Sequence, residues 1–436
     1  MTSTTPRTAA FLLACVLIGG VGAARAETVT HQPTASTLEA DVDELERKLD
    51  IVTEELRKLK EEEAAPEAKA LESKYGLGPA ASKVYLRDRG LSLGGYGEFN
   101  YKESLSDGDD TYDFVRLVLY AGYKFTDRIV FNSEIEFEHA STGSNDQDGQ
   151  VSVEQAYLDF FLKDWANVRA GLVLVPVGFV NELHEPPFFH GNERPSVERQ
   201  IIPTTWRANG LGVFGDVGET LSYRTYVVTS LRAERFSSAN IRSGRQNGNV
   251  ERAKDFSWVG RLDYTPVLGL DFGASIYLGN QGQGDDLVLG ATTEDVDAFM
   301  QMYEWHAQWH YRGLEIRGLA VYVNLEDTEE LSINAGEPIS SDMWGAYGEV
   351  AYDLMPWFLP DSEQYLAPWL RYSRYNTQED VPSGFVSDDE QDREDLEVGL
   401  SYKPIPQVVI KTEYRYLDAK EGDRPDEFRL GAGFVF

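Results

Sequence analysis

The sequence predicts an all-β fold: a transmembrane antiparallel β-barrel of about 16 strands, preceded by an N-terminal coiled-coil helix. Three observations carry this. From Leu91 to Phe436 the apolar residues recur with period two, in segments of ten to twelve residues bounded by Gly, Asp, Asn and Pro. The connectors alternate between short and long, as they do where tight turns lie at one end of a barrel and open loops at the other. The chain then ends on an alternating run, Phe428, Leu430, Ala432, Phe434 and Phe436.

The first 26 residues stand apart. Arg7 gives a positive start, an apolar stretch runs from Ala9 to Ala24, and Ala24-Arg25-Ala26 is a small-residue cleavage site. The mature chain is expected to begin at Glu27. Leu12-Leu13-Ala14-Cys15 is a weaker, lipoprotein-type alternative. Cys15 is the only cysteine, so the mature chain has none, which excludes disulfides, zinc–thiolate clusters and thiol catalysis.

Residues 36–63 read as one helix, opened by the capping-box pair Ser36 and Glu39. Val42, Leu49 and Leu56 fall at a, and Leu38, Leu45, Val52 and Leu59 at d, of a heptad repeat. The other faces are Glu, Lys, Asp and Arg, so the narrow apolar seam points to self-association. Pro66 and the Ala/Glu/Lys-rich stretch to Ser82 read as a linker. The expected organisation is a signal peptide at 1–26, a periplasmic coiled coil and linker at 27–82, and the barrel at 83–436.

Within the barrel, Ile129, Phe131, Ile135 and Phe137 alternate with Asn132, Glu134, Glu136 and Glu138. Tyr303, Trp305, Ala307, Trp309 and Tyr311 alternate with Glu304, His306, Gln308 and His310. A soluble sandwich also alternates. Here aromatics make up 12% of the chain and sit near the ends of the apolar rows, where a membrane barrel carries its girdles. The expected strands are 91–102, 112–125, 128–138, 151–163, 167–176, 207–216, 221–230, 256–266, 269–279, 300–311, 313–324, 342–354, 365–375, 394–403, 406–417 and 427–436. The segments 207–230 and 355–364 leave 14 or 18 strands as alternatives.

A net charge of -33 argues against nucleic-acid binding. Mean hydropathy is -0.38, as expected of strands apolar on one face only. Several motifs carry no chemistry. Gly210-x-Gly212-x-x-Gly215 matches a dinucleotide fingerprint, but a strand-like segment follows where a helix is required. His306 and His310 lie on one face of a strand roughly 13 Å apart, too far to share a metal. Asp146-x-Asp148-Gly149 lacks the acidic last ligand of a calcium loop and reads as a solvated acidic loop. No catalytic residue, cofactor or metal is expected.

The terminal alternating strand resembles the C-terminal signal of outer-membrane proteins. Residues 169–215, including Arg169-Ala-Gly-Leu172, Pro176-Val-Gly-Phe179, Asn181-Glu182, Glu198-Arg199, Arg207-Ala-Asn-Gly210 and Phe214-Gly215, resemble the region around loop three of the phosphate-selective porin O/P family. The prefix is similar to that of dicarboxylate-type trimeric porins. The resemblance implies a sixteen-stranded trimeric pore in the outer membrane with its prefix in the periplasm. This chain departs from the phosphate-selective pattern in being strongly acidic.

The expected function is therefore a passive, water-filled channel for small hydrophilic solutes, including anions such as phosphate or dicarboxylates. The expected partners are outer-membrane lipid, lipopolysaccharide and two further copies of the chain. Arg169, Arg224, Arg261, Arg317, Lys411 and Arg415 are expected to line the pore. Residues 177–206 are expected to fold inward and narrow it, with Glu182, Glu185, Arg194, Arg199 and Arg207 at the constriction. Arg232, Arg235, Arg242 and Arg245 form a basic run in an acidic chain, suited to drawing anions to the mouth. A structural tether acting through the coiled coil, and a barrel hydrolase with a triad assembled across strands, are the alternatives.

Overall fold

The computed structural model describes Lys48 and residues 71–436 other than 107, 143–148 and 290–291. The expected signal peptide and the coiled-coil seam lie outside the described residues, as does most of the acidic Asp146-x-Asp148 stretch. Lys48, within the expected helix, is helical.

Sixteen strands close into one antiparallel barrel. They are β1 (Gly90–Ser104), β2 (Thr111–Thr126), β3 (Ile129–Glu138), β4 (Val151–Lys163), β5 (Ala166–Leu174), β6 (Arg207–Val217), β7 (Leu221–Thr229), β8 (Phe256–Val267), β9 (Leu270–Asn280), β12 (Phe299–Tyr311), β13 (Leu314–Leu325), β14 (Asp342–Tyr352), β15 (Tyr365–Asp380), β16 (Asp392–Ile405), β17 (Val408–Ala419) and β18 (Glu427–Val435). Each wall strand pairs with the wall strand next in sequence, and β18 returns to β1 with Tyr96 opposite Val435 and Ser104 opposite Glu427. Closure leaves no edge strand, so the ladder hydrogen bonds are made all the way round.

Each expected segment overlays one wall strand, and the count is settled at sixteen. Residues 207–230 supply β6 and β7, whereas 355–364 contribute only the short helix Met355–Phe358. Structure inside the long connectors escaped the sequence reading. Residues 281–298 contain a separate hairpin, β10 (Asp286–Leu289) with β11 (Thr292–Asp295), and 326–341 contain a helix at Thr328–Ala335.

The two faces of the wall are inverted relative to a soluble protein. On β12 the inward Glu304 and His306 are buried, while the outward Trp305, Trp309 and Tyr311 are exposed. On β17 the inward Lys411, Glu413 and Arg415 are buried, while Ile410 and Tyr416 face out. Period-two alternation thus places charges in the interior and an apolar, aromatic-rich surface outside.

The stretch expected as a linker departs from that expectation. Residues 74–86 enter the barrel at the short-turn end, as a helical turn at Pro79–Ser82 followed by a 3₁₀ turn at Lys83–Leu86. Leu77, Ala80, Ala81 and Val84 are buried against the inner wall. Asn132 on β3 donates to Ala81 O (2.9 Å), and Tyr85 donates to Asp159 on β4 (2.7 Å). Two glycines make room. A Cβ at Gly94 on β1 would sit 2.9 Å from Ala80 O, and one at Gly122 on β2 would sit 2.7 Å from the Val84 side chain.

Candidate functional site

The connector between β5 and β6, residues 175–206, lies inside the barrel. Its base is tied by one side chain: Asn181 donates to Val175 O (2.6 Å) and Trp206 O (2.9 Å) and accepts from Trp206 N–H (2.7 Å). Val175, Val177, Val197, Ile201, Ile202 and Trp206 are buried with inward wall aromatics such as Tyr96, Tyr157, Tyr226 and Tyr277. An apolar surface of this kind would be wasted on a solvated loop. In the interior it contributes about 1.5–3 kcal/mol for each fully buried large side chain.

From that base the loop reaches opposite sides of the wall. His184 meets Glu134 on β3 (3.1 Å), and Glu198 accepts from Val180 N–H (2.8 Å) and from Tyr347 on β14 (2.7 Å). His190 contacts Ser401 on β16 (3.1 Å) and Glu315 on β13 (3.3 Å). Arg371 on β15 donates to His190 O (2.8 Å), and Lys411 to Gly191 O (2.7 Å). The Asn192 N–H donates to Glu413 (3.1 Å). The loop therefore crosses the interior from β3 at His184 to the arc of wall between β13 and β17 at residues 188–193.

Arg371 is the tightest of these anchors. Its side chain is 1% exposed and its guanidinium bonds Glu349 (2.8 Å), Glu397 (2.6 Å) and the loop carbonyl. Arg371→Ala strands the buried Glu349 and leaves Glu397 to Arg415 alone, a loss of about 3–5 kcal/mol where neither water nor a proton compensates. The expected outcome is a cleavable bond near His190 in limited proteolysis of an otherwise intact barrel.

The cations expected to line the pore are inward, and most are neutralised. Arg169 holds Asp159 with two bonds (2.8 and 2.9 Å) and lies 4.0 Å from the Tyr157 ring centre. Arg224 pairs with Asp263 and Glu182, and Arg261 with Asp263 (2.8 Å). Arg415 meets Glu397 (2.9 Å), Glu427 (3.0 Å) and Glu193 (3.4 Å). Lys411 sits over Phe189 (3.8 Å), and Arg317 over Phe179 (4.9 Å). Most of these groups serve to fix the loop and the wall to each other.

The constriction residues separate into two sets. Glu182 is paired with Arg224, and Glu185 accepts from the Ala80 (2.9 Å) and Ala81 N–H groups (3.3 Å), so both hold structure together. Burial pushes the Glu185 carboxyl up, to about 8. Arg207 is bound to Glu154 (3.0 Å). Arg194 and Arg199 instead face a cavity of about 330 Å³ toward the long-loop end, where Lys102, Arg116, Arg242 and Arg429 stand among Glu98, Asp113, Glu136, Glu138 and Glu193, a nearly balanced lining. An adjoining cavity of about 280 Å³ carries Lys102, Arg199, Arg393, Arg415, Arg424 and Arg429 against Glu193 and Glu427. Six cations facing two carboxylates give it a positive lining.

The basic run after β7 also divides. Arg232 is neutralised by Asp285 (2.9 Å) and Glu234, and Arg235 is exposed to solvent. Arg245 turns inward to donate to Thr205 O (2.9 Å), and Arg242 lines the first cavity with Nη1 buried and without a hydrogen-bond partner. Among the described residues, no carboxylate lies within 4.0 Å of Arg194, Arg242 or Arg245. Burial and the nearby Arg245, Arg194 and Arg199 push Arg242 down to about 9. An arginine remains charged at neutral pH, so the shift expresses burial first and crowding by like charge second. The sequence showed the run but not which members converge, since that depends on how two connectors meet.

No family model matches the chain. An uncharacterized protein of Aquifex aeolicus is 37% identical over 393 residues, 87% of each chain. Among solved structures, the outer membrane channel DcaP of Acinetobacter baumannii matches with a TM-score of 0.51 at 13% identity, over 79% of this chain and 97% of that one. The trimer form of OmpT, an outer membrane protein of Vibrio cholerae, matches with a TM-score of 0.51 at 12% identity, over 79% and 99%. With its sixteen-stranded, porin-like barrel, the chain belongs to the same family as the Aquifex aeolicus protein.

Proposed function

We propose that this protein is an outer-membrane porin, a passive channel for small hydrophilic solutes with a local preference for anions. The observation that carries the reading is the inverted barrel: an apolar outer surface around a charged interior, partly filled by one infolded loop. The outer face suits lipid, and the interior suits hydrated solutes moving down their gradient. The positively lined cavity of about 280 Å³ beside Arg199 favours carboxylates or phosphates, which Arg binds with two parallel hydrogen bonds. The resemblance of residues 169–215 to phosphate-selective porins points to the same solute class. Self-association as a trimer, supported by the trimer form of the Vibrio cholerae protein and by the heptads at 36–63, completes the reading. No catalytic step is assigned.

Purified protein added to planar bilayers is expected to give discrete conductance steps. Fractionated cells are expected to hold it in the outer membrane. A folded outer-membrane barrel that never conducts overturns the reading and favours the tether, and a chain recovered soluble from the periplasm overturns the membrane reading altogether.

A further inference from the structure

We propose that Glu134, Glu154 and His184 form a site for one divalent transition-metal cation, of which Zn²⁺ is the representative, and that this ion clamps the infolded loop to β3 and β4. Each residue offers one atom, and the three atoms lie within 4.8 Å of one another. All three side chains are essentially excluded from solvent.

The distances suit an ion. His184 Nε2 lies 3.1 Å from Glu134 Oε1 and 3.4 Å from Glu154 Oε2. Tetrahedral ligands at about 2.0–2.2 Å from zinc are separated by roughly 3.3–3.6 Å, and the two separations from Nε2 lie close to that range. One nitrogen and two carboxylate oxygens match the zinc-like donor preference, whereas calcium and magnesium favour all-oxygen shells.

A proton accounts for the cluster less well. The single hydrogen on Nε2 points at one acceptor, and Glu134 takes it. Glu154 Oε2 is then buried with no hydrogen-bond partner, although the residue is 0% exposed. A buried acceptor left unmade costs about 1–3 kcal/mol, more when charged. A cation between the three atoms removes that cost.

The surroundings orient the ligands. His184 Nδ1 faces Asn181 O (3.1 Å), which holds the ring with Nε2 toward the carboxylates. Tyr120 donates to Glu134 Oε1 (3.0 Å), Gln155 to Glu134 Oε2 (3.0 Å), and Arg207 to Glu154 Oε1 (3.0 Å). Glu154 reaches the interior through a β-bulge: the pairing skips from Glu134↔Gln155 to Ile135↔Val153. A bulge of this kind re-aims a side chain that regular alternation would have turned outward. Arg207 reduces the net negative charge, which sets the site against weakly bound cations and leaves those that bond imidazole strongly.

The test uses the full chain, purified from membranes, stripped with a chelator and titrated with Zn²⁺ against a weak competing chelator. Wild-type protein is expected to take up one more equivalent than His184→Asn or Glu154→Gln. Equal uptake by all three, or none by wild type, overturns the proposal. Folding of the variants is checked by heat-dependent gel migration. If they do not fold, anomalous diffraction from Zn²⁺-soaked wild-type crystals decides, because a peak among the three atoms supports the site and its absence rejects it. Metal uptake is read without conduction, so this result and the pore reading stand or fall separately.

Discussion

Replacing residues 184–195 with a short Gly-Ser linker is expected to raise single-channel conductance roughly twofold or more, because the segment removed is the one that crosses the interior. It supplies the bonds to Glu134, Ser401, Glu315, Arg371, Lys411 and Glu413. Its loss leaves the wall pairing untouched, since Leu174 still faces Arg207 in the β5–β6 ladder. The wall carboxylates and cations that it covered can be hydrated once the lumen opens, so the barrel is expected to survive. An unchanged conductance in a correctly assembled barrel rejects the constriction.

The second large effect concerns charge. Replacing Arg194, Arg242 and Arg245 together with Gln is expected to move the reversal potential in a salt gradient toward cations, with a roughly twofold fall in anion-to-cation permeability. Replacing Arg232 and Arg235 is expected to leave it unchanged, since one is neutralised by Asp285 and Glu234 and the other lies away from the two cavities. The measurement belongs in a bilayer free of lipopolysaccharide. A null result for the first set rejects the local anion preference. Equal shifts from both sets place the selectivity in a diffuse field of the mouth instead.

The wall was legible because one physical rule, alternation of side chains across a strand, is written in every segment. The interior was legible only in part. The prolines and apolar residues of 177–206 pointed inward, but the partners of His184, His190 and Glu198 come from strands up to about two hundred residues away. Glu154 was hidden because its bulge breaks the alternation that the reading relied on. The stretch before Ser82 resembles a linker in composition, and only the glycines on β1 and β2 hint that something packs against them. The hairpin at 286–295 and the helix at 328–335 lie in connectors whose polar composition masks their local order.

The placement of residues 74–86 bears on how the chain assembles. The seam that completes the cylinder joins β1 to β18, the two wall strands farthest apart in sequence, and such long-range pairing forms late. The peptide just before β1 rests on the inner faces of β1, β2 and β3 and donates two N–H groups to Glu185, well inside the lumen. Its binding site exists only when β1, β2, β3 and the infolded loop stand together, so closure of the cylinder and capture of this peptide are coupled as one event. A chain shortened to start at β1 would meet that event with the backbones at Gly94 and Gly122 facing empty space, and its final zipping step is the one to slow.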